Sequence, residues 1–203
     1  MTGINFFQKK RKMITWIFAF VLIIVILFSE SHWEKIYIVS DIFFLIGAIL
    51  VGIATIGRLW CSLYISGYKT STLVTTGPYS MCRNPLYFFS LIGAVGVGFA
   101  AESLVLPLII FVCFLLYYPF VIREEETRLS KIHGEKFQNY CKKIPKFFPC
   151  FSLLNEPEQY IVIPEIFKKS LFDALWFVWL FGIIEIVEAL HEWHIIPIFF
   201  RRY

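Results

Sequence analysis

The chain alternates long apolar runs with short polar clusters, the pattern of membrane helices joined by surface loops. The first run, MITWIFAFVLIIVILF over 13–28, has about 16 residues, just under the roughly 17–25 that a spanning helix needs. Runs at 42–60, 86–101 and 104–122 follow, and a fifth at 171–190 carries Asp173, Glu185 and Glu188. Only Glu102 and Ser103 separate the third run from the fourth, so those two form an antiparallel hairpin. The expected fold class is an all-α integral membrane protein of about five transmembrane helices. The first run also has the outline of a signal peptide, but Ser29-Glu30-Ser31 lacks the small-residue pattern of a cleavage site. Three stretches result: a basic segment and first helix over 1–41, a core over 42–150, and an interfacial segment with a last helix over 151–203.

Composition supports lipid as the surrounding solvent. Of 203 residues, 58% are hydrophobic and 17% charged, with a mean hydropathy of +0.70. Soluble domains are about 45–50% apolar and about 25% charged. The net charge of +4 is spread along the flanks of apolar runs, which argues for membrane orientation and against nucleic-acid binding. Lys9 to Lys12 place the N-terminus in the cytoplasm. The loop SESHWEKIY and the turn at Glu102 fall outside, and the basic stretch 123–169 falls inside. Five spans then put the tail outside, although it ends Arg201-Arg202. The five cysteines lack CxxC spacing, which argues against a disulfide framework or a zinc site. Glu185, Glu188, His191 and His194 step by three residues, too short for one helical face, and read as a polar helix end with no metal. Asp173 reads as a helix N-terminal charge.

Two polar segments flank the hairpin: ISGYKTSTLVTTGPYSMCRNPLY over 65–87 and REEETRLSKIHGEKFQNYCKKIPKFFP over 123–149. Folding the hairpin brings them together on the cytoplasmic side. Gly77-Pro78 is a turn signal, and Pro85 fits the first turn of the third helix. Arg83 then presents a planar donor fork beside the free amides of that helix start, a setting for a carboxylate or phosphate. The bland alternative is a membrane anchor at Arg83 with interfacial tyrosines at Tyr79 and Tyr87. Glu124, Glu125 and Glu126 are either the solvated start of a helix, compensated by Arg128, or include one carboxylate facing inward. One such acid beside Arg83 would suit a zwitterion. His133-Gly134 reads as a helix end, and Phe137 and Tyr140 share a face three residues apart. The GVGFAA match to a dinucleotide fingerprint lies inside an apolar helix, where Gly93, Gly96 and Gly98 serve close helix approach instead.

The run LVTTGPYSMCRNPLY, followed one hairpin later by Glu125, Glu126, Leu129 and Gly134, then Phe137, Tyr140 and IPKFFP, resembles the isoprenylcysteine carboxyl methyltransferase family, whose core the membrane phospholipid N-methyltransferases share. The resemblance covers about residues 45–150. It implies an integral membrane methyltransferase that uses S-adenosylmethionine, held on the cytoplasmic side by the third and fourth helices and their flanking segments. The implied cofactor residues are Ser71, Thr72, Leu73, Val74, Tyr79, Asn84, Pro85, Leu86, Tyr87, Glu125 and Glu126, with Arg83, Asn84 and Glu125 as catalytic candidates. Two positions depart from the family pattern. Asn84 stands where the family has histidine, and asparagine bonds but does not titrate. Val121 stands where the family has a substrate-binding arginine. The nearest arginine, Arg123, is the substrate-contact candidate together with Tyr140, although two residues turn a helical side chain by about 200°.

A carboxylate acceptor is already ionised and needs no general base, which fits this residue set; an amine must first lose a proton. The expected acceptor is therefore lipidic or prenylated, either a small molecule or a protein, methylated on a carboxylate, with a phospholipid or other amine as alternative. It enters sideways, and the glycines of the second and third spans are expected to leave room for its chain. The reading of another class is a non-enzymatic assembly or transport component, but a transporter would gather polar groups at mid-membrane. With the last helix read as peripheral, truncation after Pro149 is expected to leave some activity.

Overall fold

The computed structural model describes residues 13, 17, 20–33, 36–66, 68 and 72–202, the side chains of Phe200 and Arg202 excepted. Residues 20–27 are helical (α1) and lead into β1 (Ser29–Ser31). There follow α2 (Tyr37–Ile65), α3 (Pro78–Met81), α4 (Pro85–Ala100), α5 (Val105–His133), α6 (Glu135–Lys143), a 3-10 turn at Phe151–Leu153, α7 (Pro164–Glu192) and β2 (Phe200–Arg202). The chain is mostly helical, and among the described residues three helices, α2, α5 and α7, are long and apolar enough to cross a membrane. Each has 29 residues, about 43 Å, so their ends reach past a hydrocarbon layer of about 30 Å. Ile56, Leu116, Phe120 and Phe172 stand exposed along them, as a lipid-facing surface requires. The third predicted span is the 16-residue α4, about 24 Å long and packed against α2, α5 and α7. The first predicted span is described only in part.

Two boundaries differ from the sequence reading. The fourth run does not stop at residue 122; α5 continues to His133 and ends at Gly134, whose φ of 53° only glycine adopts readily. The acidic triplet therefore rides on the same rigid helix as the membrane run. The last helix starts at Pro164, so Asp173 lies in its interior and not at its N-terminus.

The glycines of α2 and α4 are filled by protein. A Cβ on Gly96 would lie 2.8 Å from Leu50 Cβ and 3.0 Å from Val51 N, and one on Gly47 would lie 2.8 Å from Ala100 N. A Cβ on Gly57 would meet the Phe89 ring, and one on Gly93 would meet Phe177. These positions bring helices into close contact and leave no room for an acyl or prenyl chain; among the glycines of those two spans only Gly52 faces open space. Gly96→Val is expected to lose about 1–3 kcal/mol by overpacking. A thermal melt in detergent, with Gly52→Ala as the unaffected control, measures it.

Residues 151–203 are not peripheral. Phe177 of α7 closes over Gly93, and Arg58 of α2 donates from Nη2 to Asp173 O at 3.0 Å while lying over the Phe177 ring at 5.4 Å. Arg58 Nη1 also donates to Ser90 Oγ of α4. The tail returns to α1: β2 pairs in parallel with β1, Arg201 meets Glu30 at 2.9 Å, and His191 Nε2 lies 2.9 Å from Leu27 O. The α4–α5 turn joins this end, with Ser31 Oγ donating to Glu102 O at 2.7 Å and Ser40 Oγ to the Glu102 carboxylate. The first loop, the Glu102 turn and the tail thus share one end of the bundle. The two polar segments share the other.

Candidate functional site

Gly77, at φ 59°, turns the chain so that Pro78 opens α3, and Pro85 opens α4 two residues after Arg83. This short zigzag stands at the end of α2 and faces α5 across the hairpin. Residues about 40 positions apart in sequence therefore meet. Arg83 Nη1 lies 3.3 Å from Glu126 Oε1, and Tyr87 OH donates to Glu125 Oε2 at 2.6 Å. Arg128 Nη2 stands 3.5 Å from Glu125 Oε1, one turn along α5, and Lys146 Nζ lies 3.7 Å from Glu126 Oε2.

These groups border a cleft enclosing about 750 Å³, part of it open to solvent. Its lining includes Thr72, Leu73, Val74, Tyr79, Arg83, Asn84, Leu86, Tyr87, Glu125, Glu126 and Tyr140, together with Ile65, Leu129 and Phe137. Pro85 is buried behind this surface as the first residue of α4. Ser71 lies outside the described residues. Arg123 is exposed and off the lining, while Val121 is buried at 5% exposure, as a half-turn offset on α5 dictates. Asn84 sits at 7% exposure, and its Nδ2 donates to Lys146 O at 2.9 Å. That bond makes Asn84 a clasp between the two polar segments. The inward partner of Arg83 is Glu126, not Glu125. The role of Lys146 was not singled out from the sequence; its signal was the return of IPKFFP toward the membrane face after α6.

Phe137 and Tyr140 do share the buried face of α6, with ring centroids 6.2 Å apart. Tyr140 OH donates to Tyr79 O at 2.6 Å and so fixes the zigzag from below. Tyr79 keeps some exposure toward the cleft, yet burial holds its phenol well above the ordinary 10, with Cys61 and Glu125 adding to the rise. Burial likewise raises Tyr140 and pushes the Cys82 thiol from 9.0 up to about 12. The unfolded chain releases these protons first as pH rises. Stability is thus complete below about pH 9 and falls above it, through Cys82 first and through the two tyrosines only above their ordinary 10, by about 1.4 kcal/mol per pH unit for each group while the pH lies between its ordinary and its raised value. The midpoint of thermal unfolding, followed from pH 8 to 11, is expected to drop, and Cys82→Ala to flatten the first part of that drop.

Among the described residues no three His, Cys, Asp or Glu side chains gather closely enough to hold a metal ion. His191 instead contacts Leu27 O, and His194 Nδ1 lies 3.1 Å from His191 O.

Comparison with known proteins bears on this cleft. The family model described as phospholipid methyltransferase matches residues 38–136. That span runs from α2 through the zigzag and the hairpin to the start of α6. The chain is similar to the nickel-cobalt-cadmium resistance protein NccN of Alcaligenes xylosoxydans xylosoxydans, at 39% identity over 96% of this chain and 91% of the relative. It is also similar to the cobalt-zinc-cadmium resistance protein CzcN of Cupriavidus metallidurans, at 37% identity over 93% of this chain and 86% of the relative. No solved structure matches the chain. The helical membrane architecture, the hairpin-built cleft and these matches agree: the chain belongs to the phospholipid methyltransferase family, within the isoprenylcysteine carboxyl methyltransferase-like superfamily.

Proposed function

We propose that the chain transfers a methyl group from S-adenosylmethionine to a lipid-borne acceptor, in the cleft between the zigzag and α5. The observation that carries this reading is the closure of the hairpin, which sets Arg83 against Glu126 and Tyr87 against Glu125 in one cleft. The fit to the cofactor is chemical. Two carboxylates suit a sulfonium cation, and an arginine suits a carboxylate. When bound, S-adenosylmethionine supplies a methyl on that sulfonium for in-line displacement. Thr72, Leu73, Val74, Tyr79 and the Asn84–Tyr87 turn would hold it, with Glu125 and Glu126 supplying negative charge. Tyr87 orients Glu125, and Lys146 and Arg83 orient Glu126. Alignment of this kind accounts for roughly 7–11 kcal/mol in favourable cases. Lys131, Lys136, Lys142 and Lys143, exposed around the cleft end, support a cytoplasmic location for it.

The expected acceptor is an isoprenylcysteine-like carboxylate. A second reading, a phospholipid or other amine, is favoured by Arg123 standing off the cleft and by Val121 being buried where the family carries its carboxylate-binding arginine. Binding of S-adenosylmethionine to the purified protein in detergent tests the enzyme reading. Labelled methyl transfer to farnesylcysteine or to phosphatidylethanolamine, scored by base lability of the product, separates ester from amine. The property in the relatives' names is carried over in the same spirit. Expression in a nickel- and cadmium-sensitive host is expected to raise tolerance, and a Glu125→Gln variant expressed to the same level is not.

A further inference from the structure

Between α6 and α7 the chain runs through residues 144–163 with no regular structure beyond the turn at Phe151–Leu153. Its inner edge is tied to the cleft. Cys150 N donates to Met81 O at 3.0 Å, Gly77 N donates to Asn155 O at 2.8 Å, and Asn155 N donates to Ser80 Oγ at 2.8 Å. Glu156 accepts from Trp60 Nε1 at 3.2 Å and from Tyr64 OH at 3.3 Å, both in the last turns of α2, and Tyr160 stacks on Tyr64 at 4.6 Å. Its outer edge is apolar and open. Phe148 and Phe151 are each 74% exposed and Ile161 75%, with Leu153, Leu154 and Ile163 also exposed.

We infer that this strap is a membrane-interface anchor, whose outer edge takes the boundary between headgroups and acyl chains of the bilayer that α2, α5 and α7 cross. Three observations select lipid as the occupant. The strap is bonded to the end of a membrane helix at Trp60 and Tyr64 and re-enters the membrane run at Pro164, so it lies at the bilayer surface along its length. Its apolar side chains are bracketed by exposed Lys142, Lys143 and Lys146 before and by Lys168 and Lys169 after, the charge that complements anionic headgroups. The apolar residues are aromatic and aliphatic in a loop, where a soluble surface would carry polar ones. The strap also fixes the backbone of Gly77, Ser80 and Met81, so the cleft wall rests on a segment seated in lipid. The inference stands whatever reaction the cleft performs.

Nitroxide labels test it. Phe151→Cys and Ile161→Cys are made in the full chain with Cys113, Cys141 and Cys150 replaced by serine; Cys61 and Cys82, fully buried, stay unlabelled. In nanodiscs of phosphatidylcholine and phosphatidylglycerol, both labels are expected to collide more with oxygen than with a water-soluble nickel chelate. A label at Lys143→Cys is expected to show the reverse ratio. An aqueous ratio at 151 and 161 would overturn the inference. So would exclusion of both probes, which would mean a protein partner such as a second copy. Because neither side chain is covered by the rest of the protein, neither substitution removes a buried contact.

Discussion

Replacing Glu125 by glutamine is expected to weaken S-adenosylmethionine binding by about 10–100-fold and to cut methyl transfer at least as far, the scale of a hydrogen bond to a charged group. Glutamine keeps the size of the side chain and its place on α5, so the change isolates charge. In the native chain one carboxylate oxygen accepts from Tyr87 at 2.6 Å and the other faces Arg128 at 3.5 Å. Both partners point the group along the cleft wall. Tyr87→Phe removes only the orienting bond and is expected to have a smaller effect of the same sign. Glu126→Gln differs in kind, because it releases both Arg83 and Lys146 from their ion pairs. It is expected to reduce thermal stability together with binding. Equilibrium binding and melts on the three variants resolve the pattern. Full binding by Glu125→Gln would move the cofactor away from α5.

The second large effect concerns the C-terminal quarter. Truncation after Pro149 is expected to abolish cofactor binding and to leave a chain without a cooperative melt. The cut removes the partners of Gly77, Ser80 and Met81, three points that hold the zigzag carrying Tyr79 and Arg83. It also uncovers Gly93 and takes the Asp173 carbonyl and the Phe177 ring from Arg58. Of these partners only Ser90 Oγ then remains to the guanidinium, and a charge so poorly compensated at that depth costs several kcal/mol. Gel filtration and a binding isotherm on the truncated chain test this. Residual activity, the outcome expected from a peripheral last helix, would mean that the strap and α7 only tether the core.

Hydropathy and turn chemistry made much of the molecule legible. The runs at 42–60 and 171–190 lie within helices, and those at 86–101 and 104–122 do so to within one residue at the hairpin turn, because lipid rewards only segments that satisfy their own backbone bonds. Gly77-Pro78, Asn84-Pro85 and His133-Gly134 mark the bends they predict, since proline and left-handed glycine act through local sterics. The two-residue link forced the hairpin, and with it the meeting of the two polar segments. Less legible was that one helix runs unbroken from the membrane run to Gly134. The polarity of Glu124–Glu126 signals the edge of the membrane, not the end of the helix, and between that triplet and Gly134 there is no proline or glycine.

What the sequence determined by itself was thus local: which segments are helical, where they bend, and which polar stretches share an end of the bundle. Only the tertiary structure decided the partners. Adjacent residues on a helix point about 100° apart, so the rotation of α5 against the zigzag gives Arg83 to Glu126 and Tyr87 to Glu125, and turns Arg123 outward. The docking of α7 through Phe177 and Arg58, the parallel pairing of Ser29–Ser31 with Phe200–Arg202, and the strap beneath the cleft follow the same rule. They join residues far apart in the chain, and shape complementarity between packed surfaces selects them, which no window of neighbouring residues encodes.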